Sequence, residues 1–176
     1  MAERNTIKKI SLKTPEQEEP KENLPHKTVR HAVLEDIPRL LELTQQLQMD
    51  SPMEMIGVDF ERTQEQMEAA IMNDMTQWLG LVSYDGDEIV GTLFAYAFQP
   101  IFSKHKVAVE VLMYLDPAHR KGRRGLDMMN AYEYWAKMIG CKVAQYGWLA
   151  SSPKSMETLY EKRGAVLAEK VYYKEL

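Results

Sequence analysis

The sequence predicts an α/β domain built on one mixed sheet with helices on both faces. Three observations carry that expectation. The apolar periodicity switches between two and 3.6 along the chain, in the order strand, two helices, hairpin, strand, helix, strand, helix, strand. Two long apolar runs flank Asp85-Gly86-Asp87, a hairpin turn. Helical patterns fall both before and after that hairpin, so short connections leave helices to cover each face.

The elements follow in order. Residues 1–26 are rich in Lys, Glu, Pro and Gln with few large apolar side chains, so they are expected to form a mobile or loosely docked arm. Within it, Lys8 to Lys13 has a pattern that can pair as an edge strand or dock on a partner, but a solvated tail is the favoured expectation. Residues 27–176 form the domain. Thr28 to Ala32 reads as a strand, leading into a helix with Ile37, Leu40, Leu41, Leu43 and Leu47 on one side, Asp36 as its candidate N-cap and Pro38 in its first turn. Met49-Asp50-Ser51-Pro52 ends that helix. Met53 to Phe60 is irregular yet apolar, and a second helix is expected over Thr63 to Trp78, capped by Thr63 or Asp59. The hairpin strands are Leu79–Tyr84 and Glu88–Tyr96. Lys106 to Leu115 is a further strand whose alternation is imperfect. A helix over Leu126 to Ile139 ends at Gly140, a C′ glycine. Lys142 to Trp148 reads as a long strand, Lys154 to Lys162 as a short helix, and Ala165 to Lys174 as one or two closing strands.

Composition bounds the function. The 176 residues are 45% apolar and 27% charged, as in globular domains. No apolar run nears the roughly 20 residues of a membrane span, and residues 1–6 lack the start of a secretory signal, so a cytoplasmic protein with no membrane partner is expected. A lone Cys141 excludes an intrachain disulfide and reads as a small buried hydrophobe. The net charge of −4 argues against general nucleic-acid binding. His26, His31, His105 and His119 show no ligand spacing, so no metal is expected.

One segment carries chemistry. Pro117-Ala118-His119-Arg120-Lys121-Gly122-Arg123-Arg124-Gly125 lies between a strand and a helix. Amides at a helix N-terminus converge, the helix dipole favours an anion, and glycines allow close approach. Basic side chains strengthen the preference for phosphates. The loop lacks the Gly-Lys-Ser/Thr of a Walker motif and the spacing of a dinucleotide fingerprint. By itself it is equally a basic loop capping a helix.

Its neighbours add a resemblance. Pro117-x-x-Arg120-x-x-Arg123-x-Gly125 resembles the Pro-x-x-Arg-x-x-Gly-x-Gly of motif A in the GNAT superfamily of acetyl-CoA-dependent N-acetyltransferases. Arg123 stands where the family usually has its first glycine, with Gly122 one place earlier. Such replacements occur in the family, including among phage-encoded members that this chain resembles. Ser155 to Ala165, with Leu159-Tyr160-Glu161-Lys162, resembles motif B, although its usual preceding Asn is absent. The likeness spans about residues 28 to 176 and is sharp from about Val107 onward.

The resemblance implies a sheet splayed between its fourth and fifth strands, where acetyl-CoA lies as co-substrate. The pyrophosphate would meet the amides of Lys121, Gly122, Arg123, Arg124 and Gly125, with Arg120 leading the motif. The pantetheine and thioester would meet backbone groups of Met113, Tyr114 and Leu115. Glu110 falls where several members carry a catalytic Glu, and its apolar strand should raise its pKa, so it is the candidate base. Tyr160 falls at the tyrosine that protonates or positions the departing thiolate. Tyr146, Trp148, Tyr172 and Tyr173 are candidates for the acceptor pocket. So is the Met-rich stretch Met49, Met53 and Met55 with Ile56 and Phe60, which could equally pack on its own domain or in a homodimer. The activity implied is transfer of an acetyl group to a primary amine of an unidentified acceptor by direct attack. The competing readings are a GNAT-fold interaction protein with little or no catalysis, aimed at a host factor if phage-encoded, and a nucleic-acid contact patch at Arg120 to Arg124.

Overall fold

Alternation in residues 78–98 sends successive side chains to opposite faces, and both faces are buried. The computed structural model shows why, and describes residues 27–49, 57–73, 75–149 and 151–174. Strands β2 (Trp78–Asp85) and β3 (Glu88–Phe98) pair antiparallel around a tight turn, where Gly86 takes φ +60°. They are the middle of a five-stranded sheet of order β1-β2-β3-β4-β5, with β1 at Val29–His31, β4 at Lys106–Leu115 and β5 at Cys141–Gln145. The first four strands are antiparallel. β5 lies parallel to β4, a pairing that requires a crossover, here helix α3 (Arg124–Met138).

On one face Leu79, Leu81, Leu93, Ala95 and Ala108 pack against Met128, Ala131, Tyr132, Trp135 and Ala136 of α3. On the other, Val82 and Phe94 meet Leu40 of α1 (Ile37–Met49) and Met67 and Ala70 of α2 (Phe60–Met72). Leu40, Leu79, Leu81 and Leu93 are wholly buried, each contributing about 2–3 kcal/mol. The expected mixed sheet with helices on both faces is therefore present. A fourth helix, α4, covers Lys154–Lys162 as expected.

Several expectations need correction. Helix α2 begins at Phe60, where Asp59 accepts the Arg62 N–H at 3.0 Å, and stops at Met72; Trp78 opens β2 instead. Asp36 does not cap α1 forward. It closes a 3-10 turn (Leu34–Asp36), and its carboxylate reaches back to the Val33 N–H at 2.9 Å and to Arg30 at 2.6 and 2.8 Å. Helix α3 starts two residues early, at Arg124, and ends before Gly140, which takes φ +79°. β5 stops at Gln145, short of Trp148, and residues 165–174 form no strand. In that tail Val166, Leu167, Val171, Tyr172 and Tyr173 are exposed. Alternation describes side chains only; a strand also needs a neighbouring edge to bond to, and none is paired with this segment. The arm at 1–26 with its Lys8–Lys13 segment, and Asp50 to Ile56 with Met53 and Met55, lie outside the described residues.

The imperfect alternation of β4 has a physical cause. Ala95 pairs with Glu110 and Phe94 with Leu112, so Val111 is an extra residue, a β-bulge. Ala108 and Glu110 share the α3 face; after the bulge that face passes to Met113, which packs in the α3 cluster, while Leu112 packs in the other.

Candidate active site

The site lies where β4 and β5 part. Their pairing runs from Lys106 with Cys141 to Val109 with Gln145 and stops, while β4 continues to Leu115. Glu110 is the first residue of β4 past that point. Plain alternation from Ala108, ahead of the bulge, turns its side chain to the α3 face, beside Tyr132 and Tyr160, and its Oε2 is shielded from solvent with no hydrogen-bond partner. Burial pushes its carboxyl up to about 8, although the Gly147 N–H donates to it and pulls the other way. A carboxyl tuned so far, with an oxygen left open, is suited to take a proton near neutral pH.

Tyr160 reaches the same place from α4. Its hydroxyl donates to the Gly147 carbonyl at 3.1 Å. Gly147 thus holds both groups, Glu110 through its N–H and Tyr160 through its C=O, and a Cβ there would stand 3.5 Å from Glu110 Oε1. Burial, and then the neighbouring Glu110, hold the Tyr160 hydroxyl above its ordinary range, so it stays protonated and able to donate. Its ring stacks on Tyr146, with centroids 5.0 Å apart and planes 18° apart.

Tyr146 does not offer its hydroxyl to a ligand: it donates to Glu133 of α3 in a short hydrogen bond. Arg163 donates to Glu133 from Nη2 at 2.6 Å and Nε at 3.3 Å, and to Asn130 at 2.7 Å. Burial raises the Glu133 carboxyl, but the Tyr146 hydroxyl and Arg163 outweigh it and leave the group below its ordinary range. Tyr132 donates to the Gln145 carbonyl at 3.0 Å and meets Tyr146 edge-on, holding the last residue of β5. Of the other aromatic candidates, Trp148, Tyr172 and Tyr173 are exposed. Met49 is exposed at the end of α1 and Phe60 at the start of α2.

The cradle is contiguous with this site along β4. The Tyr114 carbonyl faces β3, 3.0 Å from where a Cβ on Gly91 would stand, so alternation turns the backbone groups of Met113 and Leu115 to the open edge. Arg120 folds back, donating from Nε to the Leu115 carbonyl at 2.7 Å with its guanidinium 5.3 Å from the Tyr114 ring. Arg124 reaches Asp85 in the hairpin turn at 2.7 Å. The two arginines brace the loop, Arg124 partly buried and Arg120 exposed like Lys121 and Arg123.

No side chain caps the start of α3, whose first amides lack intrahelical partners. Gly122 takes φ +108° with nothing within 4 Å of a would-be Cβ, and at Gly125 the nearest atom is Met113 Cε at 3.8 Å. An uncapped helix start with bare glycines and basic side chains fits a pyrophosphate. Cys141 is half-buried at the start of β5, and burial raises its thiol, which leaves it unreactive.

Among the described residues no group of three or more His, Cys, Asp or Glu side chains could hold a metal ion, and no helix is long and apolar enough to cross a membrane. A groove of about 560 Å³ between α1 and α2, lined by Ile37, Leu41 and Met72 among others, lies on the opposite face from Glu110.

Sequence reasoning missed Gly147, Glu133, Asn130, Arg163 and Asp85. Only Gly147 left a local trace, as a glycine between Tyr146 and Trp148 where a continuous strand was expected.

Comparison with known proteins agrees with this architecture. The fold is similar to the aminoglycoside antibiotic 6'-N-acetyltransferase AAC(6')-IG from Acinetobacter haemolyticus, at 19% identity and a TM-score of 0.63, over 83% of this chain and 95% of that one. It is similar to a transcriptional regulator from Bacillus halodurans C-125, at 17% identity and a TM-score of 0.69, over 86% and 100%. It is also similar to an aminoglycoside acetyltransferase from an uncultured soil metagenomic sample, solved in complex with sisomicin, at 14% identity and a TM-score of 0.63, over 84% and 95%. At these identities the likeness speaks for the fold. No curated protein matches the sequence. Residues 41–165 match the acetyltransferase (GNAT) family, a span that holds most of α1, all of α2, the parting of β4 and β5, the cradle and α4. The chain belongs to the acetyltransferase (GNAT) family.

Proposed function

We propose that the protein is an N-acetyltransferase that moves an acetyl group from acetyl-CoA to a primary amine by direct attack. The observation that carries this reading is Glu110: a buried carboxyl, pushed up to about 8, with one oxygen lacking a hydrogen-bond partner at the parting of β4 and β5. The amides of Lys121 to Gly125 hold the pyrophosphate, and backbone groups of Met113 and Leu115 line the path of the pantetheine; those of Tyr114, expected there too, are turned to β3 instead. Acetyl-CoA supplies the activated thioester. Glu110 takes the proton that the amine must lose. The Tyr160 hydroxyl, held by Gly147, supplies a proton to the sulfur as it leaves. Binding and orientation in the dry cleft do the rest.

The acceptor class follows from the neighbours only as a starting point. Two of the similar structures are aminoglycoside acetyltransferases, so sisomicin heads a panel with a polyamine, a peptide with a free N-terminus and a lysine peptide. The test has two stages. Acetyl-CoA at a concentration well above its Kd should raise the melting temperature, because a ligand bound only to the folded state stabilises it. Thiol release with the panel should then fall at least about a hundredfold in Glu110→Gln. No stabilisation by acetyl-CoA or CoA would overturn the enzyme reading and favour an interaction protein on the same scaffold. Stabilisation with undiminished turnover in Glu110→Gln would overturn the base.

A further inference from the structure

We infer that Glu133, in the middle of α3, is the positioning residue that sets Tyr160 beside Glu110, acting through Tyr146 and Arg163. The inference rests on the role given to Tyr160 above. Helix α4 has nine residues and no fully buried side chain, and a helix that short is marginal alone. Its placement therefore depends on what its side chains grip. At its C-terminal end Arg163 binds Glu133 Oε1 twice and Asn130 once, at 2.6, 3.3 and 2.7 Å. The same Glu133 oxygen accepts the Tyr146 hydroxyl, and Tyr146 is the ring on which Tyr160 stacks. One carboxylate oxygen thus receives three donors from two segments that are 17 residues apart, the end of β5 and the end of α4.

Charge makes these bonds strong: a carboxylate accepts from a guanidinium and a phenol about twice as well as a neutral amide does. With Glu133 neutralised, the Tyr146 ring and the end of α4 lose their common anchor. Tyr160 then keeps only its bond to the Gly147 carbonyl. The cradle is insulated from this loss. It sits at the start of α3, nine residues and about 13 Å of helix axis from Glu133. The strut should therefore govern turnover and leave acetyl-CoA binding alone.

The experiment is a kinetic cycle on the full chain, read by thiol release with the best acceptor of the panel, or by hydrolytic release of CoA where the panel yields none. Glu133→Gln should lower kcat about tenfold or more, as small displacements of a catalytic group do, with the KM for acetyl-CoA changed less than about twofold. Tyr160→Phe should lower kcat on its own, and Glu133→Gln should add nothing in that background. Additive losses, or a wild-type kcat in Glu133→Gln while Tyr160→Phe is impaired, would overturn the positioning role alone. A wild-type kcat in Tyr160→Phe would overturn the role of Tyr160 and this inference with it. Should Glu133→Gln fail to fold, Tyr146→Phe keeps the stacked ring and removes only the bond to Glu133; it should lower kcat in the same direction, and an unchanged kcat would overturn the inference.

Discussion

Replacing Glu110 by Gln removes a titrating group while keeping its size, and the structure sets how much stability and activity should move with pH. In the folded protein the carboxyl titrates near 8, against 4.5 for an ordinary glutamate, because burial disfavours its charged form. The folded state therefore holds this proton more tightly than the unfolded chain does. Its contribution is most favourable below pH 4.5 and is lost as pH rises towards 8. At about 1.4 kcal/mol per pH unit, most of the loss falls in that window, and about 2.5 kcal/mol of it lies between pH 6 and pH 9. Gln carries no such dependence. Urea unfolding of both proteins at pH 6 and pH 9 should show Glu110→Gln gaining about 2.5 kcal/mol on the wild type across that interval. Activity should run the other way. The carboxylate is the base, so kcat/KM of the wild type should rise nearly tenfold per pH unit below about 8 and level off above it. A stability difference that stays constant between pH 6 and pH 9 would refute the buried, unpaired state of this carboxyl.

Three further substitutions test the frame around the site. Gly122→Ala meets no atom but must adopt φ +108°, so it should cost about 1–3 kcal/mol of stability and weaken acetyl-CoA binding, checked by urea unfolding and a titration. Gly91→Ala would put a Cβ 2.8 Å from Leu115 Cδ1 and 3.0 Å from the Tyr114 carbonyl; the leucine can move but the strand backbone cannot, and unfolding should show a loss of about 1–3 kcal/mol. Trp135→Phe removes the indole N–H that donates to the Met75 carbonyl at 2.7 Å, and Met75 is itself a non-glycine residue held at φ +60°. It should cost about 1–2 kcal/mol beyond the change in buried area, and adding Met75→Gly should recover part of that loss by relieving the strained backbone.

The sheet and its helices were legible because burial on both faces makes β2 and β3 long apolar runs around a turn, while burial on one side imprints period 3.6 on α1 and α3. Boundaries were less so. Trp78 fits a helix pattern as well as a strand, and only pairing with Tyr96 decides it. The tail at 165–174 alternates like a strand yet has no strand beside it. In β4 the broken alternation was visible, but which residue was extra depended on the partner strand: Val111 is the bulge because Phe94 faces Leu112 and Ala95 faces Glu110.

At the site, sequence alone determined the residue types that can do chemistry and their order: an acid on an apolar strand, a basic glycine loop at a helix start, and a tyrosine in a short helix. These are local properties of covalent neighbours. Tertiary structure decided their relations. It brought Glu110 and Tyr160 to the N–H and the C=O of one residue, Gly147, folded Arg120 and Arg124 back onto Leu115 and Asp85 as braces, and joined Tyr146 and Arg163 on Glu133. The contacts at Gly147 and Glu133 join residues 13 to 37 positions apart in the chain, and they exist only because β5 returns parallel to β4 and then parts from it. Periodicity reports which face a side chain takes, but the partner across a fold is set by packing, which no local pattern encodes.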